Sequence, residues 1–76
     1  ELRQVEKAMK LVRLTNNADH SKGMPVYMNI DHITAVYERA LVAGGSLITI
    51  VFCNGIEWYV EEGLGEAVRK IADAGK

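Results

Sequence analysis

Between Ser46 and Ile71 the hydrophobic pattern changes period twice. Leu47 to Cys53 is a nearly unbroken apolar run, Asn54-Gly55 interrupts it, Ile56 to Val60 alternates, and the residues after Gly63 repeat their apolar positions at helical spacing. Strand-like runs on either side of Asn-Gly predict a β-hairpin. Both central residues of a type I′ turn take φ > 0, which glycine tolerates and asparagine accepts best among the rest. A two-residue loop then sets the register, with Cys53 opposite Ile56, Val51 opposite Trp58 and Thr49 opposite Val60 on one face. The other face carries Ile48, Ile50, Phe52 and Tyr59 together with Glu57 and Glu61. The first set reads as core, where burial of Trp58 alone contributes about 2–3 kcal/mol. The second set is too apolar to be left to water, and such a row on the outside of a strand marks an interface.

The first half of the chain reads as shorter strands. Met9 to Thr15 mixes aliphatic residues with Lys10 and Arg13, as an edge strand does to discourage unwanted pairing. Asn16 to Gly23 is a run of turn formers, and a second strand begins at about Pro25, with Val26, Met28 and Ile30 inward. Asn29 and Asp31 mark a bend, and Ile33 to Glu38 resumes a strand pattern. Arg39 to Gly45 admits two readings: Gly44-Gly45 is a two-residue turn in a long hairpin, or Ala40 to Gly45 is a loop that carries Leu41 and Val42 into apolar cover. The helix is expected over Leu64 to Ala74. Leu64, Ala67, Val68 and Ile71 form its apolar stripe, Gly63 stands at the N-cap, Gly75 at the end, and Glu66 and Lys70 are spaced for an ion pair. Glu1 to Ala8, rich in helix formers, is expected to be an extension ahead of a single domain spanning 9–76. The fold expected is α+β: a meander or barrel-like sheet of about five short antiparallel strands with one C-terminal helix closing an open end.

The segment Lys10-Leu-Val-Arg-Leu-Thr15, a polar turn, and then Val26-Tyr-Met-Asn-Ile-Asp-His-Ile33 with Val36 resembles the opening of the small flagellar FlbD (SwrD-like) proteins. The second half is similar to the family's strand, turn, strand and helix: Ile48-Thr-Ile-Val-Phe-Cys-Asn-Gly55, then Val60-Glu-Glu-Gly-Leu-Gly-Glu-Ala-Val-Arg-Lys-Ile71. The likeness runs in order from Lys10 to Ile71. Gly63 stands where the family has a helix-capping Ser, and the loops at Asn16 to Gly23 and Arg39 to Gly45 are longer. The resemblance implies a small cytoplasmic protein without a catalytic site, associated with flagellar motility. A stand-alone relative carried on a mobile element is the other setting it allows.

Composition narrows the functional classes. Nine basic and ten acidic residues leave a formal net charge of -1, so no long-range field draws in nucleic acid or an anionic membrane. The apolar stretches are shorter than the ~20 residues needed to cross a bilayer, and no segment has the layout of a signal peptide. With 76 residues and one cysteine, Cys53, an intramolecular disulfide is impossible, and a small core must be supplemented in another way, such as self-association. Cys53 lies in an apolar strand and reads as a buried small hydrophobe in a reducing, cytoplasmic setting.

Asp19-His20, Asp31-His32 and Cys53 are the only candidates for a metal or acid/base cluster, but their spacing matches no ligand motif, and no cofactor is expected. Gly44-Gly45-Ser46 is followed by neither a helix nor a Lys or Arg, so it reads as a turn rather than a phosphate cradle. Ser21 and Ser46 lack nucleophile-elbow context. The expected function is a non-enzymatic binding or assembly module acting as a homo-oligomer, with Ile48, Ile50, Phe52 and Tyr59 as the contact surface and a protein partner as a further possibility. The alternative is a small barrel binding RNA or a small molecule, in a pocket between sheet and helix or on a face formed by Tyr37, Trp58 and Tyr59.

Overall fold

The computed structural model describes residues 10–41 and 44–76. In chain order they form β1 (Leu11–Thr15), β2 (Pro25–Asn29), a single 3₁₀ turn (Ile30–His32), β3 (Ile33–Ala40), β4 (Leu47–Cys53), β5 (Ile56–Val60) and α1 (Leu64–Ala74). Five antiparallel strands and a C-terminal helix make the fold α+β, as the periodicity predicts. The strands do not close into a barrel. β1 and β2 form one sheet and β3, β4 and β5 another.

The 3₁₀ turn is the physical reason. The Asn29 side chain accepts a hydrogen bond from the Asp31 N–H at 2.9 Å, which bends the chain where a tight hairpin would have kept β2 and β3 paired. The Asn54 N–H donates to the His32 carbonyl at 2.9 Å and so ties the tip of the β4-β5 hairpin to this bend. The two sheets meet at one seam, where Asn16 bridges Val60. The Asn17 N–H donates to the Tyr59 carbonyl at 2.9 Å and the Glu61 N–H to the Thr15 carbonyl at 2.8 Å.

The β4-β5 hairpin has the predicted register, residue for residue. Asn54 and Gly55 take φ of 57° and 81°, the left-handed values a type I′ turn requires. β1 starts at Leu11, because Lys10 turns with φ of 53°, and the predicted first strand residue Met9, like the Glu1 to Ala8 extension, lies outside the described residues. β3 runs to Ala40, two residues beyond the predicted end, with a bulge between Ile33 and Ala35. The Leu41 N–H donates to the Ser46 carbonyl at 2.7 Å, and Gly44 and Gly45 both have positive φ, so this connection closes a long β3-β4 hairpin. Leu41 is 44% exposed and is not carried into apolar cover; Val42 lies outside the described residues.

The core lies between the two sheets and the helix. Val12 and Leu14 of β1, Met28 of β2, Val51 and Cys53 of β4, Val60 of β5 and Ala67 of α1 form one buried cluster. Trp58, Val36, Ile30 and Ile71 pack against it. α1 spans Leu64–Ala74 between Gly63 at the N-cap and Gly75 at the C-cap, as expected, but Gly63 supplies no side-chain cap. A residue without any hydrophobic signal secures the approach to the helix instead. Glu62 is 6% exposed. It accepts hydrogen bonds from the Thr15 N–H at 2.9 Å, the Thr15 hydroxyl at 2.9 Å and Lys70 Nζ at 3.1 Å, joining β1, the end of β5 and α1. Burial alone would push its carboxyl pKa up. The backbone N–H groups of Thr15 and of Glu62 itself, the Lys70 ammonium and the Thr15 hydroxyl outweigh that, and the group titrates below the usual carboxylate range.

Candidate functional site

The face of the β3-β4-β5 sheet opposite the core gathers the residues expected to form a contact surface. Across the strands, Tyr37 pairs with Ile50 and Ile50 with Tyr59; Ala35 pairs with Phe52 and Phe52 with Glu57; Arg39 pairs with Ile48. Alternation along each strand therefore puts Ile48, Ile50, Phe52 and Tyr59 on one face, together with Tyr37. Their exposure separates them. Ile50, in the middle of the middle strand, is 0% exposed and offers no surface to a partner, which corrects its assignment as a contact residue. Ile48, Phe52 and Tyr59 are half-buried and keep surface available.

A polar cluster crosses this face from β3 to β5. The Tyr37 hydroxyl donates to Glu57 Oε2 at 2.6 Å, and Arg39 Nη2 donates to the same oxygen at 2.8 Å and to the Tyr37 hydroxyl at 3.5 Å. The hydrogen bond from Tyr37, together with the Arg39 charge, holds the Glu57 carboxyl below its ordinary range. The same bond to Glu57 pushes the Tyr37 phenol up. Arg39 and Glu57 are exposed, so solvent screens the pairing and its role is to orient side chains more than to stabilise the fold.

The alternative ligand face does not assemble. Trp58 and Tyr59 are neighbours on β5 and point to opposite sides of the sheet. Trp58 pairs with Val51 and packs against the core, whereas Tyr37 and Tyr59 flank Ile50 on the far side. Nor does Trp58 look into a space between sheet and helix. It lines a cleft of about 260 Å³ between β2 and the β4-β5 hairpin, with Met28, Cys53 and Ile56 beside it and His32 and Asn54 at its edge. No periodicity pointed to His32 or Asn54, because the 3₁₀ turn and the hairpin tip meet only through the fold.

Asp19 and His20 lie exposed in the β1-β2 loop, and Asp31 and His32 in the 3₁₀ turn. Cys53 is 6% exposed, and burial pushes its thiol up, away from the thiolate form. Among the described residues no three His, Cys, Asp or Glu side chains are placed to hold a metal ion, and no helix is long and apolar enough to cross a membrane. Compared with protein-family models, with curated proteins and with solved structures, the chain has no significant match in any of the three.

Proposed function

We propose that this chain is a non-enzymatic binding and assembly module that works as a homo-oligomer, with the outer face of the β3-β4-β5 sheet as its contact surface. The observation that carries the reading is the half-buried set Ile48, Phe52 and Tyr59 around Ile50, on the face away from the core cluster. Two further facts support it. The described residues bury only eight apolar side chains, a modest core, and the single cysteine leaves no intramolecular disulfide to reinforce it. Association that buries further apolar surface stabilises the folded state by mass action.

The size of the face sets the expected strength. Three strands about 4.8 Å apart and some seven residues long at about 3.3 Å each present a few hundred Å², below the roughly 800 Å² per partner of a stable interface. The oligomer is therefore expected to be weak and to dissociate on dilution. The resemblance to the FlbD family supports a role as a cytoplasmic motility accessory, and the same module carried by a mobile element is the other setting.

The test is sedimentation over a concentration series. Ile50→Asp is unsuitable, since a charge at a fully buried position unfolds the sheet. The double variant Ile48→Lys with Phe52→Lys keeps Ile50 and places two like charges on the half-buried positions. It is expected to remain monomeric, with wild-type circular dichroism, at concentrations where the wild type associates. Equal masses for the two proteins would sink the proposal.

A further inference from the structure

We infer that the cleft between β2 and the β4-β5 hairpin is a binding site for a small, neutral, planar nitrogen heterocycle. The cleft exists because the two sheets stay open. β1 and β5 join at the seam through Asn16 and Val60, while the Asn29-capped 3₁₀ turn keeps β2 out of the second sheet. The gap between β2 and the hairpin encloses about 260 Å³. A cavity of about 150 Å³ accommodates a benzene ring, so this one takes a fused bicycle with its edge still in water.

The lining selects the chemistry. Met28, Cys53 and Trp58 supply an apolar floor and an indole on which a flat ring stacks. Ile56 stands at the mouth, 55% exposed, and a bound ring would cover it. The polar lining comes from Tyr27, Asn29, His32 and Asn54; the Asn29 oxygen is taken by the Asp31 N–H, and the His32 imidazole and the Asn54 carboxamide carry donors and acceptors suited to ring nitrogens and exocyclic groups. No Asp, Glu, Lys or Arg lines the cleft. A phosphate or carboxylate would find no counter-charge there and would lose hydration against the apolar floor. An apolar pocket with a few convergent polar groups is the usual form of a small-molecule site. The site lies on the opposite side of the sheet from the proposed contact face and does not depend on it.

Trp58 is the one tryptophan of the chain, so its emission reports the cleft directly. The full chain is titrated with caffeine and with adenine, both neutral and bicyclic at pH 7, and amide shifts are followed in parallel by NMR. Saturable binding is expected with a midpoint of about 0.1–1 mM, the range open to a ligand of this size. The shifts should centre on His32, Cys53, Asn54, Ile56 and Trp58. Ile56→Glu, a change at an exposed position, should raise the midpoint at least about fivefold. Ile48→Lys with Phe52→Lys should leave it unchanged. A response that stays linear to the solubility limit, an unchanged midpoint in Ile56→Glu, or shifts centred elsewhere would each overturn the assignment. So would an oligonucleotide that binds about tenfold more tightly than free adenine, since that preference requires phosphate contacts the cleft does not offer.

Discussion

Removing the Glu62 carboxylate should destabilise this protein more than any other single change to a polar side chain described above. The Thr15 N–H and hydroxyl each donate to it at 2.9 Å, and Lys70 Nζ approaches to 3.1 Å. Hydrogen bonds to a charged group contribute about 1.5–3 kcal/mol each. The Lys70 side chain is 33% exposed, so its share is small, and Glu62→Ala is expected to cost about 2–4 kcal/mol. A chain of 76 residues has a total stability of about 4–11 kcal/mol, so the variant sits near the edge of folding. In urea, with a slope of about 1 kcal/mol/M for a small domain, the midpoint should fall by about 2 M or more.

Glu62→Gln keeps the shape, loses the charge and should cost about half as much. The pH dependence follows from the direction of the shift. The folded-state pKa lies below the unfolded value of about 4.3, so the folded protein binds the proton more weakly. The contribution is full above the unfolded pKa and is lost as pH falls through the folded one. The gap between wild type and Glu62→Gln should therefore be full at pH 7, begin to narrow as pH falls past the unfolded value of about 4.3, and go on narrowing toward the lower folded-state pKa. A gap that stays constant from pH 7 to pH 3, or a cost for Glu62→Ala under about 0.5 kcal/mol, would refute the clamp.

The helix offers two changes in the opposite direction. A side chain at Gly63 or Gly65 meets nothing within 4 Å. Gly63→Ser should supply the missing N-cap for a few tenths of a kcal/mol, and Gly65→Ala should add about 0.5–1 kcal/mol by propensity; thermal melts that fail to rise for both would contradict the cap and helix assignments. Gly55→Ala also meets open space, but φ there is 81°, so the variant should lose about 1–2 kcal/mol from backbone strain alone. An unchanged urea midpoint would mean that the turn relaxes out of the left-handed region.

Local pattern determined a large part of this protein. Asn54-Gly55 set a two-residue turn, and because side chains alternate with a period of two, that turn alone assigned every residue of β4 and β5 to its face, Trp58 inward and Tyr59 outward. The same parity argues against grouping Trp58 with Tyr37 and Tyr59. The helix was legible at both ends for a similar reason, since an apolar stripe at helical spacing flanked by Gly63 and Gly75 is a local signal. What only the tertiary structure decided lies where distant segments meet. Whether the strands closed into a barrel depended on how the Asn29-capped turn directs β3 away from β2, and no periodicity encodes that angle. The burial of Ile50 on the outer face reflects its position in the middle of three strands, which emerges only once β3 pairs with β4. Nothing in the local pattern separates Glu62 from its neighbour Glu61; only the fold brings Thr15, 47 positions away, within 2.9 Å of it. A charged side chain is buried only when its partners are in place, and those partners belong to the fold rather than to the neighbouring sequence.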